Sequence, residues 1–286
     1  MSAADCLFEN EHTRVIKAKH GAFIYNKNDS FIGRSLETYG EWCEGEIDTL
    51  RQIVKDGDVV VDVGANIGTH TIPLAQRVGL SGGILALEAQ RVVFQTLCGN
   101  VALNNLLNVM CLNVAAGARR SLAQMPVVDP KVPFNWGAVT PSSLPNGEDV
   151  EMVALDDLAI GRCRLIKIDT SGAEAEVLEG AGDLISRCSP ALFIAVNGAG
   201  AAAKVLTQLD RLGYAAWWHI TRYFQAANHF GVERNIFEGY LPDANLLCFP
   251  RAASVSIEGF EPAVGLDDSL EKAVQRIAAR AEGSTN

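Results

Sequence analysis

Positive charge is scarce in this 286-residue chain: 24 Lys and Arg stand against 34 Asp and Glu, a formal net charge of −10. A phosphate backbone or an anionic membrane surface calls for a basic footprint, so this balance points away from nucleic acid and from membranes as partners. Long hydrophobic runs are missing as well. No apolar stretch approaches the length of a bilayer span, which argues against an integral membrane segment. The opening residues MSAADCLFENEH carry neither a basic n-region nor an apolar h-region, so no signal peptide is expected there. Paired cysteine spacing is also absent. The seven cysteines, at positions 6, 43, 98, 111, 163, 188 and 248, are odd in number, scattered and free of any C-x-x-C. That argues against a disulfide framework and against a zinc or other metal site, and fits a reduced, cytoplasmic protein. With no repeats and 48% hydrophobic residues, the composition is that of one large globular domain with additions.

What is present is a regular alternation of strands and helices. Residues 13–25 alternate around His20-Gly21 and predict a small hairpin outside the main sheet. Residues 42–55 carry Ile47, Leu50 and Ile53 or Val54 at helical spacing. Strands are expected at 59–63, 83–88, 109–114, 164–169, 191–196, 214–220 and 245–249, with helices at 90–105, 173–187 and 200–212 between them. This pattern predicts an α/β fold: a Rossmann-like, seven-stranded, mostly parallel sheet covered by helices on both faces, its last strand antiparallel. Residues 1–41 read as an N-terminal hairpin or cap, 42–251 as the main domain and 252–286 as a tail with a peripheral helix at 267–282. The Pro-, Gly- and Asn-rich stretch 117–157, with strand-like pieces at 125–129 and 150–155, is expected to cross over the active-site side.

The stretch DVVVDVGANIGTHT (58–71) carries the strongest chemical signal. Three valines end in Asp62, and Gly64 and Gly68 then allow a tight turn and a close approach of backbone to a ligand. The residues after Gly68 can open a helix whose free N–H groups face the same crevice. The spacing differs from the dinucleotide fingerprint G-x-G-x-x-G. An acid two residues before the first glycine, followed by Ala-Asn-x-Gly, is more similar to the first motif of an S-adenosylmethionine (SAM) methyltransferase.

Ligands of open α/β sheets bind beyond the carboxyl ends of the strands. That rule brings Asp62, Gly64, Asn66, Gly68, Glu88 and Asn113 together as candidate cofactor residues. Glu88 can accept hydrogen bonds from two ribose hydroxyls, and Asn113 lies where an adenine edge would pass. Asp62 and Asn66 can each bind the ligand or fix the turn.

The chain resembles the FkbM-type SAM-dependent methyltransferase family over about residues 20–251. The likeness rests on IGRSLETYGEWCEGE (32–46), VVVDVGANIGTHT (59–71), IKIDTSGAEAEVLEGA (166–181), WWHITRYFQAANHFGVERNIFEGY (217–240) and NLLCFPR (245–251). The resemblance implies a class I methyltransferase that uses SAM, with O-methylation of a small or lipid-linked metabolite such as a sugar or polyketide hydroxyl. A hydroxyl nucleophile needs a base. Asp169 is the first candidate, with Glu174 a helical turn along and His219 and His229 as alternatives; for either histidine, a hydrogen-bonded structural role weighs at least as much. Trp136, Trp218, Phe230 and Phe237 can wall an acceptor pocket or simply belong to the core, and His70 reads as a packing or substrate-facing residue. The N-terminal hairpin offers a surface for a homodimer.

Two departures from the family pattern stand out. Ser171 occupies a position where relatives carry glutamate, and Ala195, in Ile194-Ala195-Val196-Asn197-Gly198, stands where an acid is expected. Ser171 thereby joins the candidate substrate pocket. These losses raise an alternative: a SAM-binding protein with altered or lost methyl transfer, acting as a partner or regulatory subunit. A nicotinamide-dependent oxidoreductase is the third reading, and the glycine spacing counts against it.

Overall fold

The computed structural model describes residues 6–140, 147–196 and 200–283. Its N-terminal part is a three-stranded antiparallel sheet, β1 (Cys6–Glu9), β2 (Thr13–Ala18) and β3 (Gly21–Asn26), with the expected turn at His20-Gly21. Two helices, α1 (Ile32–Tyr39) and α2 (Glu44–Ile53), then lead into the main sheet.

That sheet begins at β4 (Val59–Val63), whose β-branched residues suit a strand covered on both faces. It continues through α3 (Thr71–Val78), β5 (Gly83–Leu87), α4 (Arg91–Leu103) and β6 (Val109–Leu112). The chain next leaves the sheet. The excursion builds its own three strands, β7 (Ala115–Ala116), β8 (Ser121–Pro126) and β9 (Gly147–Val153), in the order β7-β9-β8. It returns through β10 (Leu165–Ile168), α5 (Glu174–Glu179), α6 (Gly182–Cys188), β11 (Ala191–Ala195), α7 (Ala201–Arg211), β12 (Tyr214–Thr221) and β13 (Asp243–Pro250). A two-residue strand β14 (Glu261–Pro262) and helix α8 (Leu270–Gly283) complete it.

The strand order is β14-β12-β13-β11-β10-β4-β5-β6, eight strands rather than the seven expected. Neighbours from β11 to β6 pair in parallel, and β13 runs antiparallel to both β11 and β12. The eighth strand, β14, pairs with Trp217 and Trp218 of β12. Apolar residues from both faces of the sheet form two large core clusters, so β4, β10 and β11 are almost wholly buried.

Three local findings depart from the sequence pattern. The helix expected at 173–187 is broken at Gly180-Ala181, because the Asp156 N–H donates to the Gly180 carbonyl and the Asp156 carboxylate caps the Asp183 and Leu184 amides. The C-terminal helix α8 is clamped at its base, although most of its described side chains are exposed. Arg276 bonds Asp268 at 2.7 Å and Glu261 at 2.6 Å, and Asp268 also accepts from Trp218 Nε1 at 3.0 Å. Third, the N-terminal sheet is tied to α4. Asn104 bonds both the N–H and the carbonyl of Ala22, while Asn100 does the same for Ile24 and also donates to the Ile67 carbonyl.

Candidate active site

A cavity of about 650 Å³ opens at the carboxyl ends of β4, β5, β6 and β10. Its size is that of a small-molecule or cofactor site. The turn after β4 forms one wall. Gly64 has φ +74°, and a Cβ there would lie 1.9 Å from the Asp169 carbonyl oxygen, so only glycine fits between the two loops. Gly68 (φ +94°) sits behind the wall against Leu97.

Glu88 closes β5 inside this cavity. One carboxylate oxygen accepts from the Asn66 N–H at 2.9 Å and the other from the Gln90 N–H at 2.8 Å. Each oxygen therefore keeps acceptor capacity for a further donor. Burial pushes the Glu88 carboxyl up to about 7, against the lowering effect of those amides. Beyond it, Leu87, Val114, Ala115, Ala116 and Met125 give an apolar slot, and the excursion supplies Asn135, Gly137, Ala138 and Val139.

Asp169 also lines the cavity. Its side chain is 47% exposed; desolvation by the surrounding protein raises its carboxyl, while Lys167, 4.0 Å away, lowers it. Around it lie Glu46, Lys167 and Asp243, which the sequence did not single out, and His70, which it read as packing or substrate-facing. Burial pushes Glu46 up to about 7, with Lys167 opposing. Burial, reinforced by Lys167, holds the His70 imidazole down at about 4, so it is neutral at ordinary pH. Burial also lowers the Lys167 ammonium, but Asp62, Asp169 and Glu46 outweigh it and the net shift is upward. These groups come from α2, α3, β10 and β13, and no local motif marks them as a set.

The outer side of the cavity is aromatic. Phe31, Trp42 and Tyr223 line it, with Trp42 and Tyr223 stacked at 5.3 Å. Phe237 sits behind them in contact with all three and with Tyr39 and Tyr240. The segment 267–271, at the start of α8, lines the cavity as well.

Of the residues expected at the site, Gly64, Asn66, Glu88, Asp169 and Ser171 line the cavity. The others stand behind it. Asp62 is fully buried and accepts from Thr71 Oγ1 (2.7 Å) and Lys167 Nζ (3.3 Å), so it fixes the loop rather than facing a ligand. Asn113 donates to the Glu88 and Ala89 carbonyls and holds the end of β5. Glu174 is consumed by the Thr170 and Gly172 amides, which it caps, so it is not positioned as a base. His219 bonds Thr49 Oγ1 at 3.0 Å between Phe193 and Phe260, a structural role in place of a catalytic one. Trp136 packs into the core beside Ile67 and Ile72. Trp218 is bound to Asp268, and the His229 ring packs on Phe230. Ser171 adopts φ +54° and donates to the Gly137 carbonyl, linking the β10 loop to the excursion. Ala195 is buried in β11; Asn197 and Gly198 lie outside the described residues.

The sequence model for the Methyltransferase FkbM domain matches residues 62–216, more than half of the chain. A curated relative, the tRNA(Phe) (4-demethylwyosine(37)-C(7)) aminocarboxypropyltransferase of Methanocaldococcus jannaschii, is 29% identical over 114 residues, covering 36% of this chain and 45% of that protein. The match thus spans under half of that relative's length. Among solved structures, methyltransferase FkbM from Methylobacillus flagellatus KT is 19% identical with a TM-score of 0.46, covering 68% of this chain and 44% of that one. M. jannaschii TYW2 in complex with AdoMet is 14% identical with a TM-score of 0.45, covering 85% and 89%. One expectation is overturned by the first of these relatives. A protein related in sequence acts on tRNA, so the acidic net charge is no ground for setting nucleic acid aside as a partner. No helix among the described residues is long and apolar enough to cross a membrane.

Proposed function

Since the chain belongs to the FkbM methyltransferase family, we propose that its cavity binds SAM and that the protein transfers the SAM methyl group to an oxygen of an acceptor entering past Phe31, Trp42 and Tyr223. The observation that carries this reading is the convergence of Gly64, Glu88 and Asp169 on one cavity at the ends of neighbouring strands. The residues present fit the cofactor. Glu88 retains an acceptor position on each oxygen for the two ribose hydroxyls. The apolar slot at Leu87, Val114, Ala115 and Met125 suits an adenine face.

When bound, SAM supplies an electrophilic methyl on a positively charged sulfur. The work of the protein is to aim an acceptor oxygen in line with that carbon and to keep competing water out. Asp169 is the group placed to take the proton that the acceptor hydroxyl loses, because its carboxylate is open to the cavity and its affinity for a proton is raised there. Asp169 would hold that proton once the methyl group had passed to the acceptor oxygen.

The acceptor is a hydroxyl of a small or lipid-linked metabolite, such as a sugar or polyketide; the tRNA chemistry of the curated relative supports testing RNA beside it. Calorimetry with SAM and S-adenosylhomocysteine tests the cofactor, and absence of heat with either on folded protein sinks the proposal. Transfer of a labelled methyl group into a metabolite extract and into bulk tRNA then sorts the acceptors. A second reading, cofactor binding without transfer, is favoured by Ser171, which lines the cavity without a carboxylate. It expects binding with no labelled product in either pool, and a gain of turnover in Ser171→Glu would mark a degenerate enzyme.

A further inference from the structure

Cys43, Glu46 and Asp243 bring a thiol and two carboxylates together, their donor atoms all within 4.8 Å of one another. They come from the residue capping α2, the first turn of α2 and the first residue of β13. The Glu46 and Asp243 side chains also lie within hydrogen-bonding reach of each other. His70 adds an independent observation. Its Nε2 lies 3.0 Å from a Glu46 oxygen, but off the line that a hydrogen bond needs, and this nitrogen, on a side chain more than nine-tenths buried, has no hydrogen-bond partner. A buried imidazole nitrogen left unsatisfied is costly unless it serves a ligand.

We propose that Cys43, Glu46, Asp243 and His70 bind one divalent transition-metal ion of the zinc class beside the methyl-transfer cavity. The donor set decides the class. Sulfur, imidazole nitrogen and carboxylate oxygen suit zinc and its neighbours, whereas magnesium and calcium select all-oxygen sites. Tetrahedral zinc holds its donors about 3–4 Å apart, a separation close to the span of the Cys43, Glu46 and Asp243 donors, with His70 reaching the group from the Glu46 side.

The surroundings are rich in carboxylates: Asp62, Asp169 and Glu46 all bear on the Lys167 ammonium, which is already engaged with Asp62 at 3.3 Å. Glu46, His70 and Asp243 line the cavity, so an ion there would stand at its wall near Asp169 and Trp42, where a fifth coordination position would face the acceptor side. Holding the acceptor oxygen there rests on the methyl-transfer reading; binding of the ion does not. Cys43 and Glu46 are near in sequence, but His70 and Asp243 are far from them and from each other, which explains why scattered cysteines gave no sign of a metal site.

The test uses the full chain after chelator treatment, titrated with Zn²⁺ by calorimetry and with Co²⁺ by absorption. One ion per chain is expected, with a thiolate-to-cobalt charge-transfer band in the near ultraviolet. C43S should abolish that band, and E46Q and H70A should each weaken Zn²⁺ binding about 10- to 100-fold. Circular dichroism establishes that each variant is folded, and the wild-type titration stands whatever the variants do. Absence of saturable binding to the folded wild type overturns the proposal, as does a charge-transfer band retained in C43S. SAM binding is measured on the same metal-free protein. Retained SAM binding without metal binding defeats only the metal site, and metal binding without SAM binding defeats only the cofactor reading.

Discussion

Lys167 and Asp62 face each other across two neighbouring parallel strands, Nζ 3.3 Å from Oδ1, and both side chains are almost wholly buried. This pair joins the glycine loop after β4 to the Asp169 loop after β10, so its energetics bear on the whole cavity. Removing one partner strands the other charge in the interior. Lys167→Met should therefore cost about 3–5 kcal/mol in denaturant unfolding, and adding Asp62→Asn should restore a large part of that loss. A single-variant cost near zero would mean that the pair is not the buried contact described.

Gly64→Ala tests the close approach of the two loops. With φ at +74° and a Cβ 1.9 Å from the Asp169 carbonyl, alanine needs a backbone shift. A loss of stability above about 1 kcal/mol is expected, together with loss of SAM binding. A thermal melt and a calorimetric titration read the two effects separately.

Glu88 gives the pH dependence. Its carboxyl is raised to about 7 in the folded chain, so between the ordinary carboxylate range and pH 7 the folded form holds a proton that the unfolded chain has released. Its contribution to stability thus falls as pH rises through that window. Ribose recognition runs the other way, because ionised oxygens accept better. SAM affinity should rise from about pH 6 to about pH 8 and then level off, whereas Glu88→Gln should bind weakly and without that slope. A flat wild-type profile would count against Glu88 as the ribose acceptor.

Arg276 is the fastener of α8. It reaches two buried carboxylates, Asp268 and Glu261, and holds Asp268 down at about 2 despite the opposing effect of burial. The contribution of Asp268 is present above the ordinary aspartate value and is lost as pH falls toward 2. Arg276→Ala should raise amide exchange in α8 and in 261–271 while β4 and β10 stay protected, at a cost of about 2–4 kcal/mol. Uniform exchange across the sheet would show that α8 is not a separable unit.

The main sheet was legible because runs such as Val59–Val61 and Ala191–Ala195 are apolar throughout, which is what burial on both faces demands. The break between α5 and α6 was not, because the helical pattern runs straight through Gly180 and the interruption comes from Asp156, distant in sequence. A two-residue strand such as β14 carries too little pattern to register. The glycine loop and Glu88 were readable since strand ends fix their positions. Asp62, Glu174 and His219 misled because a polar residue near a site and one that braces it look alike in sequence. Glu46, His70 and Asp243 come together only when three elements pack, and as single residues they resemble ordinary helix-end and strand-end polar groups.

The asparagines of α4 have a consequence for how this molecule meets others. Along the outer margin of β3, the Asn100 and Asn104 amides imitate the backbone of a fourth strand, answering both the donors and the acceptors of Ala22 and Ile24. A margin answered in this way cannot serve as a template for another extended segment, which leaves β1 as the side on which that small sheet can grow. Because Asn100 also grips the Ile67 carbonyl, a pull on the hairpin is delivered directly to the glycine loop. The N-terminal strands are thus a lever attached to the cavity wall.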